Sequence, residues 1–399
     1  MDYLDTLPLP VLPTGSVFEW GGIRQLAAMA RSLGMRRPLL VTDRGLADVD
    51  FVTRVIEDLR RSVMEPGLFA DVDGNPRIDQ VTCGAGVLAA GGHDGVIALG
   101  GGSGLDAGKA IAFAAAQRRP LEDFAFNRHG PGGPPDCEMP WPWVAVPTTA
   151  GTGSEVSPSA VVTDASGAKR SIMHPAMFAP RVVCDPELTT GLPRALTAWT
   201  GVDALTHCLE AFCAPGDDPE ADDWALAGMA RVHRALLRAC SDGTDRAARG
   251  DMMAAAVLGA RAFRKGLGGL HGLSHALAAR FGGQHGQINA VLLPFVIEAN
   301  RPAIDGRLEA IANALDLGET PGAVVAWIDG LLDRLDLPRS LPDIGIEWPA
   351  SMLPDLCAAS AAEPNAATNP VVADADWARG VLEVATEQAG DRETRHISA

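Results

Sequence analysis

The sequence predicts an α/β domain with a mostly parallel sheet, followed by an all-helical domain. Three observations carry that expectation. Up to about residue 185, short apolar runs alternate with helix-like segments, the pattern of βαβ units. Past Asp185-Pro-Glu-Leu188 strand-like runs almost vanish, and apolar positions recur at helical spacing from Ala195 onward. The length, 399 residues, is long for one core and comfortable for two. The boundary falls near residue 190, dividing the chain into 1–190 and 191–399.

Taken in order, Arg37 to Thr42 predicts a short buried strand with Asp43 at its C-terminal end. A helix follows through Val52–Leu59, then a strand near Gly67–Ala70 and a helix from Asn75-Pro76 toward Ala90. The strongest strand, Gly95–Leu99, runs into Gly100-Gly-Gly-Ser103, which opens a helix through Leu105–Phe113. Ligands of such sheets bind at the carboxyl ends of strands, where Asp43 and these glycines sit. Glycines let a backbone approach a phosphate closely, and the free amides of a helix start complement its charge. After a turn-rich loop at 127–142, strand Val144–Val146 delivers Pro147-Thr-Thr-Ala-Gly-Thr-Gly-Ser-Glu155, a hydroxyl-rich loop suited to a nucleotide. Ser159–Asp164 and Pro180–Asp185 read as two more extended segments. Glu363–Pro370 reads as a loop, and Asp217–Asp223 as a solvated acidic loop and helix start.

The helical half carries a different chemistry. Asp203 and His207 are four residues apart, so one face of a helix presents both. His271 and His275 share that spacing, and His285 follows shortly after. Four nitrogen and oxygen ligands drawn from this set suit a divalent metal; Fe(II), Zn(II) and Mn(II) all accept such a mixture. Spacing alone leaves open which four. His93, His129, His174, His233 and His396 read as ordinary residues, and Cys208 and Cys213 as buried packing.

Bulk properties exclude several classes. A formal charge of −17 repels nucleic acid and anionic membranes, and 5% aromatics with one Tyr offers few platforms for stacking bases. Met1–Pro8 has neither a basic nor an apolar leader region, and no apolar run reaches the roughly 20 residues of a membrane span. Seven cysteines at irregular spacing form no disulfide framework and no CxxC pair, so the expected compartment is the cytoplasm.

The set Gly100–Ser103, Thr148–Glu155, Gly201–His207, His271–His275 and His285-Gly286, with Asp185–Leu188 and Thr368-Asn-Pro370, resembles the iron-containing (group III) alcohol dehydrogenases. The motifs run in order over nearly the whole chain. The resemblance implies the dehydroquinate synthase-like fold of iron-dependent alcohol dehydrogenases: a dinucleotide-binding α/β domain and an all-α metal-binding, catalytic domain. It implies metal ligation by Asp203, His207, His271 and His285, and moves His275 from ligand to proton relay. It implies pyrophosphate contacts at Gly101, Gly102 and Ser103, and nicotinamide or adenine contacts at Asp106, Thr148, Thr149, Thr152 and Lys169. Asp43 takes the place of an acid that hydrogen-bonds the adenosine ribose; a carboxylate there repels a 2′-phosphate and favours NAD. Fe(II) is the first metal expected and Zn(II) the second. A homodimer or larger homo-oligomer is implied.

The expected reaction is NAD-linked hydride transfer between a small alcohol and its aldehyde or ketone. Arg261, Arg264 and Lys265 precede Gly266–His271 where many relatives carry small, apolar or amide side chains, and Ala262 stands where some carry an aromatic wall. Outward-facing arginines on a helix are the simpler reading; the alternative is a roomier pocket with a basic edge for a polar or anionic aldehyde. A maleylacetate-reductase-like enzyme, a glycerol-dehydrogenase-like zinc enzyme and a non-catalytic nucleotide-binding protein are the competing readings. Relatives of the first kind tend to lack the Asp of the Asp203/His207 pair, which is present here.

Overall fold

The computed structural model describes residues 11–129 and 133–387. The leader-free N-terminus expected at Met1–Pro8 and the ordinary role expected of His396 lie outside the described residues. The chain divides after Gly191 into two compact units.

In the first unit, β1 (Val17–Phe18), β2 (Pro38–Val41), β3 (Gly67–Phe69), β4 (Gly95–Gly100), β5 (Trp143–Pro147) and β8 (Arg181–Cys184) form one sheet. Its order is β1-β8-β5-β4-β2-β3, and every pairing is parallel. Helices α1 (Leu26–Ser32), α2 (Asp50–Arg61), α3 (Ile78–Ala90) and α4 (Gly102–Ala114) intervene. β2, β4 and β5 are buried at every residue, which is why they read as unbroken apolar runs. From β2 the chain runs outward to β3 and then returns to β4 on the other side. The carboxyl ends of β2 and β4, with Asp43 and Gly101–Ser103, therefore flank a topological switch point.

Two features go beyond the sequence expectation. β6 (Ser159–Thr163) is extended, as read, and pairs antiparallel with β7 (Lys169–Met173) in a separate hairpin outside the main sheet. Its buried residues, Ala160 and Val162, alternate with partly exposed ones, so it is a one-face strand rather than a buried one. β1 is too short to show a pattern. It is held instead by Asp185, whose fully buried carboxylate accepts from Gly21 N (2.9 Å) and Ile23 N (3.0 Å).

The second unit contains α5 (Arg194–Cys213), α6 (Pro219–Ser241), α7 (Arg246–Ala262), α8 (Gly269–Phe281), α9 (His285–Ala314), α10 (Pro321–Arg334), α11 (Leu353–Ala361) and α12 (Ala375–Ala385). Asp218, Asp245 and Asp374 cap α6, α7 and α12 by accepting from backbone amides of the first turn. Helix α5 is buried without a break from Gly201 to Cys213. Small residues allow that approach: a Cβ on Gly201 would meet Leu236, and one on Gly228 or Gly259 would meet Cys208 Sγ. The Glu363–Pro370 segment contains a short 3₁₀ helix, Pro364–Thr368, rather than plain loop. Among the described residues no helix is long and apolar enough to cross a membrane.

Candidate metal centre and nucleotide loops

α5 presents Asp203 and His207 one turn apart, and α8 brings His271 to them. One ligand-type atom from each of the three lies within 4.8 Å of the other two, and all three residues are buried. Asp203 Oδ1 stands 3.9 Å from His207 Nε2, 4.0 Å from His271 Nε2 and 3.6 Å from His285 Nε2. These separations exceed hydrogen bonds. Donors held about 2.1 Å from a tetrahedral centre lie about 3.4 Å apart, so the group needs only a small contraction around a cation. His271 Nε2 is buried with no hydrogen-bond partner among the described residues, an arrangement costly unless something else fills it. His285 opens α9, beyond the tight trio.

Three supporting residues escaped sequence reasoning. Glu210 accepts from Leu270 N (2.8 Å) and sits 2.5 Å from His271 Nδ1. By accepting a hydrogen bond from Nδ1–H it leaves the Nε2 lone pair facing Asp203. Burial pushes the His271 pKa down, but the Glu210 charge, its hydrogen bond and Asp203 outweigh that and raise it. Asn289 Nδ2 donates to Asp203 Oδ1 (2.8 Å) and lies 3.2 Å from His285 Nε2. Ser274 Oγ lies 3.0 Å from His285 Nδ1. A signal existed for each: Glu210 continues the 203–207 stripe at i+7, Asn289 is i+4 from His285, and Ser274 is i+3 from His271. His275 borders the group, its ring 5.3 Å from His285 and 5.9 Å from His271, at 89° to the latter. Its Nδ1 is 3.4 Å from Glu363 Oε2 and 3.5 Å from Asn365 Nδ2.

In the α/β unit the glycine turn and the threonine loop touch. A Cβ on Gly101 would lie 3.1 Å from Thr149 Cγ2, and one on Gly102 would lie 2.9 Å from Thr152 Cγ2. Thr148 N donates to Gly100 O (2.9 Å), and Gly153 ends the loop in the left-handed region at φ 62°, where glycine is favoured. Ser103 Oγ donates to Asp43 Oδ2 (2.9 Å), while Asp43 Oδ1 accepts from Gly45 N (2.9 Å). Asp106 accepts from Ser154 Oγ (2.5 Å) and Val161 N (2.9 Å). Burial raises its pKa, against the opposing pull of the Lys109 charge. Lys169 begins β7, and its charge also acts on Asp106.

Two of the basic residues before α8, Arg264 and Lys265, are engaged by acids. Arg264 makes a two-pronged pair with Asp218 (2.7 and 2.8 Å), reaches Glu220 (2.8 Å) and stacks over Trp224. Lys265 is buried against Asp222 (2.6 Å) and donates to Phe212 O (3.2 Å). These two charges therefore brace α6 rather than stand open as a basic edge. Four of the remaining histidines are ordinary, as expected. His93 and His129 meet backbone carbonyls, His174 accepts from Ala176 N, and His233 packs edge-on against Trp327. Cys208 and Cys213 are buried.

Comparison with known proteins places the chain in a family. Residues 13–186 match the model of the iron-containing alcohol dehydrogenase family, and residues 197–385 match that of its C-terminal part. The 4-hydroxybutyrate dehydrogenase of Cupriavidus necator is 37% identical over 375 residues, covering 92% of this chain and 96% of its own. The crystal structure of 1,3-propanediol oxidoreductase superposes with a TM-score of 0.88 at 30% identity, covering 95% of this chain and 99% of its own. Sulfoacetaldehyde reductase from Bifidobacterium kashiwanohense, solved with NAD+, gives 0.83 at 27%, covering 96% and 98%. With both halves matched and the helical trio converging, the chain belongs to the iron-containing alcohol dehydrogenase family.

Proposed function

We propose that Asp203, His207, His271 and His285 together hold a divalent metal, Fe(II) first and Zn(II) second, and that His275 carries the reaction proton. NAD is bound by Asp43, Gly101, Gly102, Ser103, Asp106, Thr148, Thr149, Thr152 and Lys169. Dinucleotide binding belongs to residues 1–190, metal binding and catalysis to 191–399. The protein is a metal-dependent oxidoreductase that interconverts a small alcohol and its aldehyde or ketone with NAD. The observation that carries the metal assignment is the buried, partnerless His271 Nε2 turned toward Asp203.

A metal bound there supplies Lewis acidity, which lowers the pKa of an alcohol oxygen or polarises a carbonyl. Glu210 fixes the His271 tautomer, and Asn289 orients the Asp203 carboxylate by donating to its Oδ1. His275 accepts the alcohol proton at a ring nitrogen, with Glu363 beside it to orient the imidazole. The glycine turn offers backbone amides to the pyrophosphate, and the threonine loop orients the nicotinamide ring. Asp43 accepts from a ribose hydroxyl and repels a 2′-phosphate.

The test quantifies metal and follows NADH formation over short alcohols, diols and hydroxy acids. His271→Ala is expected to lose metal and activity together; wild-type turnover by a metal-free His271→Ala protein would sink the scheme. For the substrate we favour a small polar or anionic aldehyde. The resemblance to a 4-hydroxybutyrate dehydrogenase supports it, and the engaged Arg264 and Lys265 give it no support. A hydroxy acid turned over no better than a plain alkanol of equal length would overturn that choice. The chain is taken as a homodimer or larger, to be weighed by light scattering. It is placed in the cytoplasm, in keeping with seven unpaired cysteines.

A further inference from the structure

A buried cation lies beneath the threonine loop. Lys109, two turns into α4, has a side chain with no exposure to solvent. Its Nζ is within 2.8 Å of Ser154 O, 3.0 Å of Ser154 Oγ, 2.9 Å of Ser157 O and 2.5 Å of Ser159 O. An ammonium has three protons for these four acceptors and satisfies nearly all of them; a neutral amine has two. Every acceptor belongs to the segment that leaves the threonine loop at Gly153 and enters β6 at Ser159. Ser154 Oγ in turn donates to Asp106 of α4, 2.5 Å away. The same helix begins at the glycine turn, on which Thr149 and Thr152 pack.

We propose that Lys109 is a positioning residue for the dinucleotide site: its ammonium ties the trailing end of the threonine loop to the helix that starts at the glycine turn, holding both loops in one geometry. This rests on the reading that the two loops take NAD. The carbonyl cage needs the charge, and burial works against it, pushing the Lys109 pKa down to about 8 while Asp106 and Glu155 oppose that shift. The charged groups around the cage are Asp106 of α4, Glu155 of the short helical turn Ser154–Val156, and Lys169 of β7, which acts on Asp106. Loss of the Lys109 proton at alkaline pH therefore loosens the loop that faces the cofactor.

NADH fluorescence titrations on the full-length wild type, Lys109→Met, Lys109→Arg and Ser154→Ala test this, with thermal unfolding recorded for each. Losing hydrogen bonds to a charged group lowers the population of the competent loop, so Lys109→Met is expected to raise the NADH Kd about tenfold or more. In turnover, KM for NAD rises while KM for the alcohol and the metal content stay unchanged, and Lys109→Arg recovers part of the loss. Wild-type NADH affinity falls as pH rises from 7 to 9.5, and the Lys109→Arg profile stays flat. If Lys109→Met does not fold, Ser154→Ala and the wild-type pH profile carry the test. Variants that melt earlier but bind NADH normally, or a flat wild-type profile, overturn the inference. A wild type that binds no NADH at pH 7 overturns the dinucleotide reading and this inference with it.

Discussion

At the scale of residues, Glu210 fixes the ring of His271, one of the proposed metal ligands. Glu210→Gln keeps the shape but weakens the pull on the Nδ1 proton, and the metal affinity is expected to fall about 10- to 100-fold in a chelator competition. Unchanged affinity would mean that Glu210 only caps α8. A second single-residue effect is electrostatic. Burial pushes the Glu155 carboxyl up to about 7, against the Lys109 charge. Its folded pKa is therefore raised, so its contribution to stability is present at acid pH and is lost as pH rises toward and through 7. Glu155→Gln removes that loss: relative to wild type, its urea stability should be more favourable at pH 8 than at pH 5. Equal differences at the two pH values would contradict it. Asp203 and His207 were legible because a helix turn alone aligns them. Glu210 lies on the same stripe, yet a carboxylate two turns along is indistinguishable from a surface acid until α8 is packed on it. Asn289 and Ser274 hide for the same reason, since neutral polar residues on helices are common.

At the scale of elements, α9 starts where it must. A Cβ on Gly286 would run into the backbone carbonyl of Trp199 on α5, so this helix start approaches the ligand helix only as glycine. Gly286→Ala should destabilise the protein by about 1–3 kcal/mol in urea and, by displacing His285, weaken metal binding as well. Native stability with native metal affinity would show that the helices yield without cost. β2, β4 and β5 could be read from the sequence because parallel strands buried on both faces are continuous apolar runs. The two-residue β1 could not be, since it depends on the distant Asp185. β6 was legible as an extended segment, but its hairpin with β7 was not, because local pattern says nothing of which partner a strand finds.

At the scale of the molecule, the two-part architecture was legible in the change of texture after Leu188, whereas the paired acids of α6 that claim Arg264 and Lys265 were not. The protein carries a formal charge of −17 and binds an anionic cofactor. Long-range repulsion must then be offset locally by backbone amides, and salt screens the repulsion over about 10 Å at 0.1 M. KM for NAD is expected to fall as ionic strength rises from about 10 to about 150 mM; a rise would instead reveal a local cationic patch. The burial of α5 has a final consequence. Leu236 closes on Gly201, and Cys208 fits between Gly228 and Gly259, so the helix bearing Asp203 and His207 has no slack. If this pair holds the metal as proposed, a ligand pair clamped in this way would act as a gauge of nearly fixed width, selecting ions by the misfit each imposes on three stiff helices.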